Sequence, residues 1–149
     1  LALKWPNDLL LDGAKCAGLL LEGSTLPAAG SFSRFAVAIG FGVNIIAAPT
    51  ATPYPATCMP AGDRDALMQA LADSFTAREA QWRSSGLAPL LAAWRSRAAF
   101  LGQEISLRLP DGATSGRFED IDAKGRLKLL TGQGLRVIDA GDLFFPAAS

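Results

Sequence analysis

Three short apolar runs open the chain: Leu9-Leu10-Leu11, Cys16 to Leu21, and Phe35 to Ile39. Bounded by turn signals and lacking alternation, they predict strands covered on both faces, with helices as the cover. Asp12-Gly13, between the first two, is a strong dipeptide for a two-residue hairpin turn. The polar, glycine-containing stretch Glu22 to Ser33 predicts a loop before the third strand. Residues 47–62 carry Pro49, Pro53, Pro55 and Pro60, which excludes a helix or a central strand. A long surface loop is expected there, of the kind that is functional or mobile.

The pattern then turns helical. Asp63 is placed as an N-cap with Asp65 in the first turn. Leu67, Leu71, Phe75 and Trp82 recur at helical spacing to about Arg83, where Ser84-Ser85-Gly86 ends the helix. A second helix is predicted from Pro89 to Ala99, with Leu90, Leu91, Trp94 and Ala98 inward. Both stripes read as core rather than as a cofactor box.

Beyond Gln103 the period becomes two: Ile105, Leu107 and Leu109 alternate with Glu104, Ser106 and Arg108. Turn signals recur at Asp111-Gly112, Lys124-Gly125 and Gly132-Gln133-Gly134. Four or five short strands in a compact barrel are expected. The predicted fold class is α+β. A partial mixed or antiparallel sheet with covering helices (residues 1–100) precedes a small all-β barrel (residues 103–149), the boundary falling near Phe100 to Gln103.

Composition narrows the function classes. The chain has 149 residues, half of them hydrophobic, with 14 basic and 14 acidic side chains. Zero net charge argues against a broad electrostatic grip on nucleic acid. No apolar run approaches the roughly 18 residues of a membrane-spanning helix, and no secretory signal pattern is present. With Cys16 and Cys58 as the only cysteines and no histidine, a zinc site is not expected. Both read as reduced thiols of a cytoplasmic protein. Histidine-based nucleophile activation is excluded as well. Leu1 falls inside an expected strand, so the chain is expected to be the later part of a longer protein.

The first hairpin carries candidate chemistry. A two-residue turn at Asp12-Gly13 pairs Leu11 with Ala14, Leu10 with Lys15 and Asp8 with Ala17, placing Asp8, Leu10, Lys15 and Ala17 on one face. Asp8 and Lys15 are then diagonal neighbours, with Cα atoms about 7–8 Å apart. Lys4 has the same parity; Asn7 points the other way unless Pro6 introduces a bulge. An acid and a base on a leucine-rich sheet are costly to bury without partners. One reading is a partly buried ion pair, or lysines that snorkel to water. The other is the floor of an anion pocket, where Lys15 donates to carboxylate or phosphate oxygens and Asp8 orients it or helps to hold Mg²⁺. Gly18 permits close approach of a ligand, or serves packing. The stretch Gly40 to Ile45, "GFGVNI", ends the third run with two glycines and Asn44, whose amide both donates and accepts. Taken alone it is also compatible with a plain turn.

Together, "KWPNDLLLDGAKCAGLLLE" and "GFGVNI" closely resemble the central catalytic segment of biotin protein ligases (biotin–[acetyl-CoA-carboxylase] ligases). That family shows a Lys-Trp-Pro-Asn-Asp stretch, then a lysine before Ala-Gly and an apolar run ending in Glu, then a Gly-x-Gly-x-Asn strand end. The likeness continues into a terminal Src-homology-3-like barrel. It implies ATP-dependent activation of biotin to biotinyl-5′-adenylate, followed by transfer to a lysine of a biotin carboxyl carrier protein. ATP, Mg²⁺ and biotin are the implied cofactor and substrates. Lys15 resembles the lysine at biotin's carboxyl end and the adenylate phosphate, with Gly18 beside biotin. Asn7 and Asp8 resemble the pair near the nucleotide and its metal, Asn44 a residue on the adenosine side; Trp5 is assigned to packing. A homodimer is compatible with the resemblance, and a DNA-binding domain is not visible in this chain. The family's glycine- and arginine-rich ligand loop lies upstream of these residues, so the chain alone is expected to be incomplete as an enzyme. Arg117, Lys124, Arg126 and Arg136 of the expected barrel are candidates for contacts with ATP or carrier protein, or plain solvated charge. Two other readings stay open. One is a lipoate-type acyl-adenylate ligase; the other is a non-catalytic piece whose barrel is a protein-interaction module.

Overall fold

The computed structural model describes residues 1–29, 32–60, 62–110 and 112–144. β1 (Ala2–Lys4), β2 (Asp8–Leu11), β3 (Ala14–Ala29) and β4 (Phe32–Val43) form a four-stranded antiparallel sheet in sequence order. Two helices follow, α1 (Arg64–Ser85) and α2 (Ala88–Arg95). The second sheet holds β5 (Glu104–Leu109), β6 (Gly112–Ile121), β7 (Leu127–Thr131), β8 (Gly134–Ile138) and β9 (Asp142–Phe144), ordered β8-β7-β6-β5-β9 and antiparallel throughout.

The main core belongs to the second sheet. Ile105, Leu107, Phe118, Ile121, Leu127, Leu129, Ile138 and Leu143 are buried together, with Leu91, Trp94 and Phe100 packed against them. The alternation expected of β5 is therefore met: Ile105 and Leu107 turn inward and the residues between them outward. α2 is pinned to this sheet by Arg95, whose Nε lies 2.6 Å from Asp120 Oδ1, and by the Trp94 and Phe118 rings, 6.4 Å apart. The first sheet joins the same unit through β1. The Leu3 N–H donates to the Arg97 carbonyl at 2.7 Å, and the Ala99 N–H donates back to Leu3 at 2.8 Å. Trp5 follows directly and is itself part of the core cluster, 4% exposed, as its packing assignment requires.

Several expectations change. The loop expected at Glu22 to Ser33 is largely strand: β3 runs to Ala29, paired as Glu22↔Ala38, Thr25↔Phe35 and Leu26↔Arg34. Glycine, serine and proline signal a turn locally, but cross-strand pairing overrides them. Gly23, paired with Val37, leaves the space that the Phe35 ring occupies, which a Cβ there would enter. The apolar runs are not covered on both faces, since Leu20, Leu21, Phe35 and Val37 stand exposed. Continuity of apolar residues records what a strand can bury, not what lies over it.

α1 starts as expected, with the Asp63 carboxylate accepting from the Asp65 N–H at 2.8 Å, and ends at Gly86, φ 72°. Its stripe is only partly core. Leu67 and Leu71 are half-buried, whereas Trp82 is 55% exposed. The expected barrel is met in its five strands and not in its closure. Among the described residues the second sheet is open, with β8 and β9 each paired to one neighbour. Turn spacing gives the number of strands, but closure depends on strand tilt and stagger, which spacing does not carry.

Candidate functional site

The site begins at the β2–β3 turn. Asp12 and Gly13 take φ of 50° and 83°, the backbone of a two-residue turn whose twist matches the flanking strands. Leu11 pairs with Ala14 and Leu10 with Lys15, as the sequence predicts. Then the register shifts: Leu9 faces Ala17 and Asp8 faces Gly18, so Cys16 is the extra residue of a bulge. The Cys16 thiol is fully buried and donates to the Leu9 carbonyl at 3.4 Å; burial pushes its pKa up. The bulge corrects the expected pairing of Asp8 with Ala17. Ala17 moves to the other face, and Gly18 takes its place across from Asp8.

That substitution matters because of what lies over Gly18. Lys15 Nζ is 2.5 Å from Asp8 Oδ1, and Lys4 Nζ is 2.8 Å from Asp8 Oδ2. The carboxylate is 11% exposed, the Lys4 side chain 8% and the Lys15 side chain 26%. Any Cβ at Gly18 would sit 3.2 Å from both Asp8 Oδ1 and Lys15 Cε. One carboxylate therefore holds two ammonium groups over a floor kept clear by glycine. Breaking such a largely buried group by removing the carboxylate costs about 3–5 kcal/mol.

The proline-bearing loop supplies a wall. The Lys15 N–H donates to the Pro55 carbonyl at 2.8 Å, and the Thr57 N–H donates to the Lys15 carbonyl at 2.9 Å, so the loop runs beside β3. This fixes the Tyr54 ring 5.3 Å from Lys15 Nζ and 5.9 Å from Lys4 Nζ, within cation–π range. Asn44 anchors the arrangement. Its Nδ2 donates to the Thr57 carbonyl at 3.1 Å and the Lys15 carbonyl at 3.4 Å, and its own carbonyl accepts from the Met59 N–H at 2.8 Å. Asn7 points its Nδ2 to the Leu19 carbonyl at 2.5 Å while bordering the cavity.

The cavity above these groups has a volume of about 720 Å³ and includes Lys4, Asn7, Asp8, Lys15, Gly18 and Tyr54 in its lining, with Arg108 and Leu143 from the second sheet. Lys4 and Lys15 against the single carboxylate of Asp8 leave a net positive charge beside the cavity, which favours an anionic ligand. The expected cluster of Asn7, Asp8, Lys15 and Gly18 is thus brought together, while Asn44 stands behind the Lys15 backbone. Sequence reasoning missed Tyr54 and Arg108. The sole tyrosine, set between two prolines, was the available signal for the first.

A metal on Asp8 does not fit this arrangement. Each oxygen already faces an ammonium, and Mg²⁺ would be forced against like charge. Among the described residues no group of three or more His, Cys, Asp or Glu side chains could hold a metal ion. No helix is long and apolar enough to cross a membrane.

Comparison with known proteins adds relatives. Residues 100–145 match the family model described as the biotin protein ligase C terminal domain. The chain is 40% identical to the biotin–[acetyl-CoA-carboxylase] ligase of Paracoccus denitrificans, over 97% of this chain and 63% of that protein. It is 37% identical to the ligase of the same name from Mycobacterium tuberculosis, over 95% of this chain and 52% of that protein. The chain therefore spans roughly half to two thirds of the length of these relatives. The apo biotin protein ligase of Aquifex aeolicus superposes with a TM-score of 0.79 at 22% identity, over 96% of this chain and 64% of that one. The same enzyme in complex with biotin and ATP gives 0.75 at 22% identity, over 96% and 60%. At that identity the solved structures establish likeness of fold.

Proposed function

The chain is homologous along its length to the biotin–[acetyl-CoA-carboxylase] ligases, and on that premise we propose that the Lys15 cavity is where biotin's carboxylate meets ATP. A carboxylate oxygen of biotin attacks the α-phosphorus, the bond to the bridging oxygen breaks, and pyrophosphate leaves with its electron pair. The product is biotinyl-5′-adenylate. The uncharged amine of a carrier-protein lysine then attacks its carbonyl carbon, forming an amide and releasing AMP and a proton.

Each side chain has a part in that sequence. Lys15 donates to the carboxylate and α-phosphate oxygens, where negative charge grows in the transition state. Asp8 keeps Lys15 and Lys4 together so that the two charges need not reorganise during reaction. Gly18 leaves space beside them for biotin's carboxyl end. Asn7 borders the nucleotide, and Asn44 acts through the loop that it anchors, because its amide N–H groups are committed to carbonyls. No step is assigned to a metal held by Asp8. On this reading residues 1–100 are the later part of the catalytic domain, and the second sheet is the Src-homology-3-like unit of the family.

The observation that carries the proposal is the Lys4–Asp8–Lys15 group set over Gly18 at the edge of one cavity. Biotin-dependent exchange of labelled pyrophosphate into ATP, measured on the protein that carries this chain, is the test. Lys15→Ala should lower the exchange about a hundredfold, as for loss of one transition-state donor. Unchanged exchange in that variant would overturn the proposal. So would exchange that depends on lipoate and not on biotin.

A further inference from the structure

Arg117, Lys124, Arg126 and Arg136 of the second sheet do not line the cavity. Arg117 pairs with Glu119, Arg126 with Asp122 and Asp139, and Arg136 reaches the Thr114 hydroxyl at 3.4 Å. The shape of the cavity is set nearer the lysines, by the face that β3 turns toward it.

We infer that Asn7 is a positioning residue: it holds β3 in the register that puts glycines, rather than Ala17 and Leu21, on the cavity floor. The inference rests on the reading of that cavity as an adenylation site. Two ties frame the hairpin, and they enclose unequal lengths of chain. At one end the Asp12-Gly13 turn sets Leu10 against Lys15. At the other end Asn7 grips Leu19 twice. The Leu19 N–H donates to the Asn7 carbonyl at 2.9 Å, and Asn7 Nδ2 donates to the Leu19 carbonyl at 2.5 Å. Between these ties β2 takes three steps, from Leu10 to Asn7, while β3 takes four, from Lys15 to Leu19. The surplus residue cannot pair, and Cys16 is the one set aside. It is well held there: its carbonyl accepts from the Asn44 N–H at 2.9 Å, and its thiol is buried against the Leu9 carbonyl.

That one residue decides which side chains face the ligand, because a shift of one position turns a strand over. In the observed register Gly18 and its partner Gly42, with Gly40, line the cavity of the lysines. Leu21 and Val43 border an apolar cavity of about 430 Å³ that also touches Leu67, Leu71 and Trp94 of the helices. In an unbulged ladder Asp8 would stand opposite Ala17. Alternation would then bring Ala17 and Leu21 round to the lysines and take Gly18 away from them. The Asp8–Lys15 ion pair would lose its open floor. The amide of Asn7 makes that slip cost a hydrogen bond.

The test uses the complete protein that carries this chain. Alkylation of Cys16 by iodoacetamide, followed peptide by peptide with mass spectrometry, reads the bulge directly. Asn7→Ala should speed it about fivefold, the effect of one lost hydrogen bond. Asn7→Asp, which keeps the size but when ionised cannot donate to Leu19, should do the same. Ile138→Val, which loosens the second sheet alone, should leave the labelling unchanged. Biotin-dependent pyrophosphate exchange should fall in both Asn7 variants, with KM for biotin and KM for ATP rising together, since both ligands meet at this floor. Gly18→Ala should cost less in the Asn7→Ala protein than in the unmodified one, because the two changes act on one space. Unchanged labelling of Cys16, a rise in KM for ATP alone, or independent multiplication of the two substitutions would each overturn the inference. If the unmodified protein shows no biotin-dependent exchange, the adenylation reading fails, and the labelling of Cys16 still decides the role of Asn7.

Discussion

The indole N–H of Trp5 donates to the carbonyl oxygen of Gly125 at 3.1 Å, across 120 positions of sequence. Trp5 stands between Lys4 and Pro6, so the residue next to a site lysine belongs to the core of the second sheet. The placement of Lys4 and Asp8 thus depends on packing far along the chain.

Trp5→Ala should therefore destabilise the protein by about 3–5 kcal/mol, the cost of emptying a large aromatic site. Trp5→Phe, which keeps most of the bulk but leaves the Gly125 carbonyl without its donor, should cost about 1 kcal/mol. Urea unfolding of both variants measures this. A loss below about 1 kcal/mol for Trp5→Ala would show that the contact does not hold the sheets together.

Gly18→Ala separates fold from function. The added Cβ meets Asp8 Oδ1 and the far end of Lys15, both of which can move, so the melting temperature should change little. The displaced ion pair should lower pyrophosphate exchange on the order of tenfold or more, as expected of a small misplacement in a reacting site. Full activity in this variant would mean that the space above Gly18 is not used.

Acid should loosen the turn on which Trp5 docks. The Arg126 side chain, together with the Lys124 and Arg126 N–H groups, holds the Asp122 carboxyl at about 2, below its ordinary 3.8. A depressed folded-state value gives stability that is present above pH 3.8 and is lost as the pH falls toward 2. The Arg95 partnership lowers Asp120 in the same direction against the opposing effect of burial. Unfolding measured from pH 5 to pH 2 should show a steep decline, flatter in Asp122→Asn; equal slopes would remove Asp122 from the account.

Much of the site was legible because a hairpin is a local object. Asp12-Gly13 set the turn, the turn set Leu10 against Lys15, and parity put Asp8 on the same face. The bulge at Cys16 was not legible, since no local preference marks which residue is left unpaired; the structure shows that residue with its thiol buried against the Leu9 carbonyl. The family resemblance pointed to Asn44, but its bonds to the Lys15 and Thr57 carbonyls depend on how a long loop returns. The second sheet's strands followed from alternation, while its open edge depends on pairing between residues far apart. Arg108 had no signal of its own: in sequence it is one outward position among several.

Both ends of the proline-bearing segment are tied down, one by the Met59 N–H on the Asn44 carbonyl, the other by the pairing of Pro55 and Thr57 with Lys15. Just before that pairing, the Thr52 hydroxyl donates to the Tyr54 carbonyl at 2.6 Å and the Tyr54 ring lies over the Lys15 ammonium. Length can therefore change within residues 45–51 at little cost, whereas a single insertion within residues 52–59 would slide the tether and disturb the lysine's surroundings. Homologues that differ in loop size should concentrate the difference in that tolerant stretch.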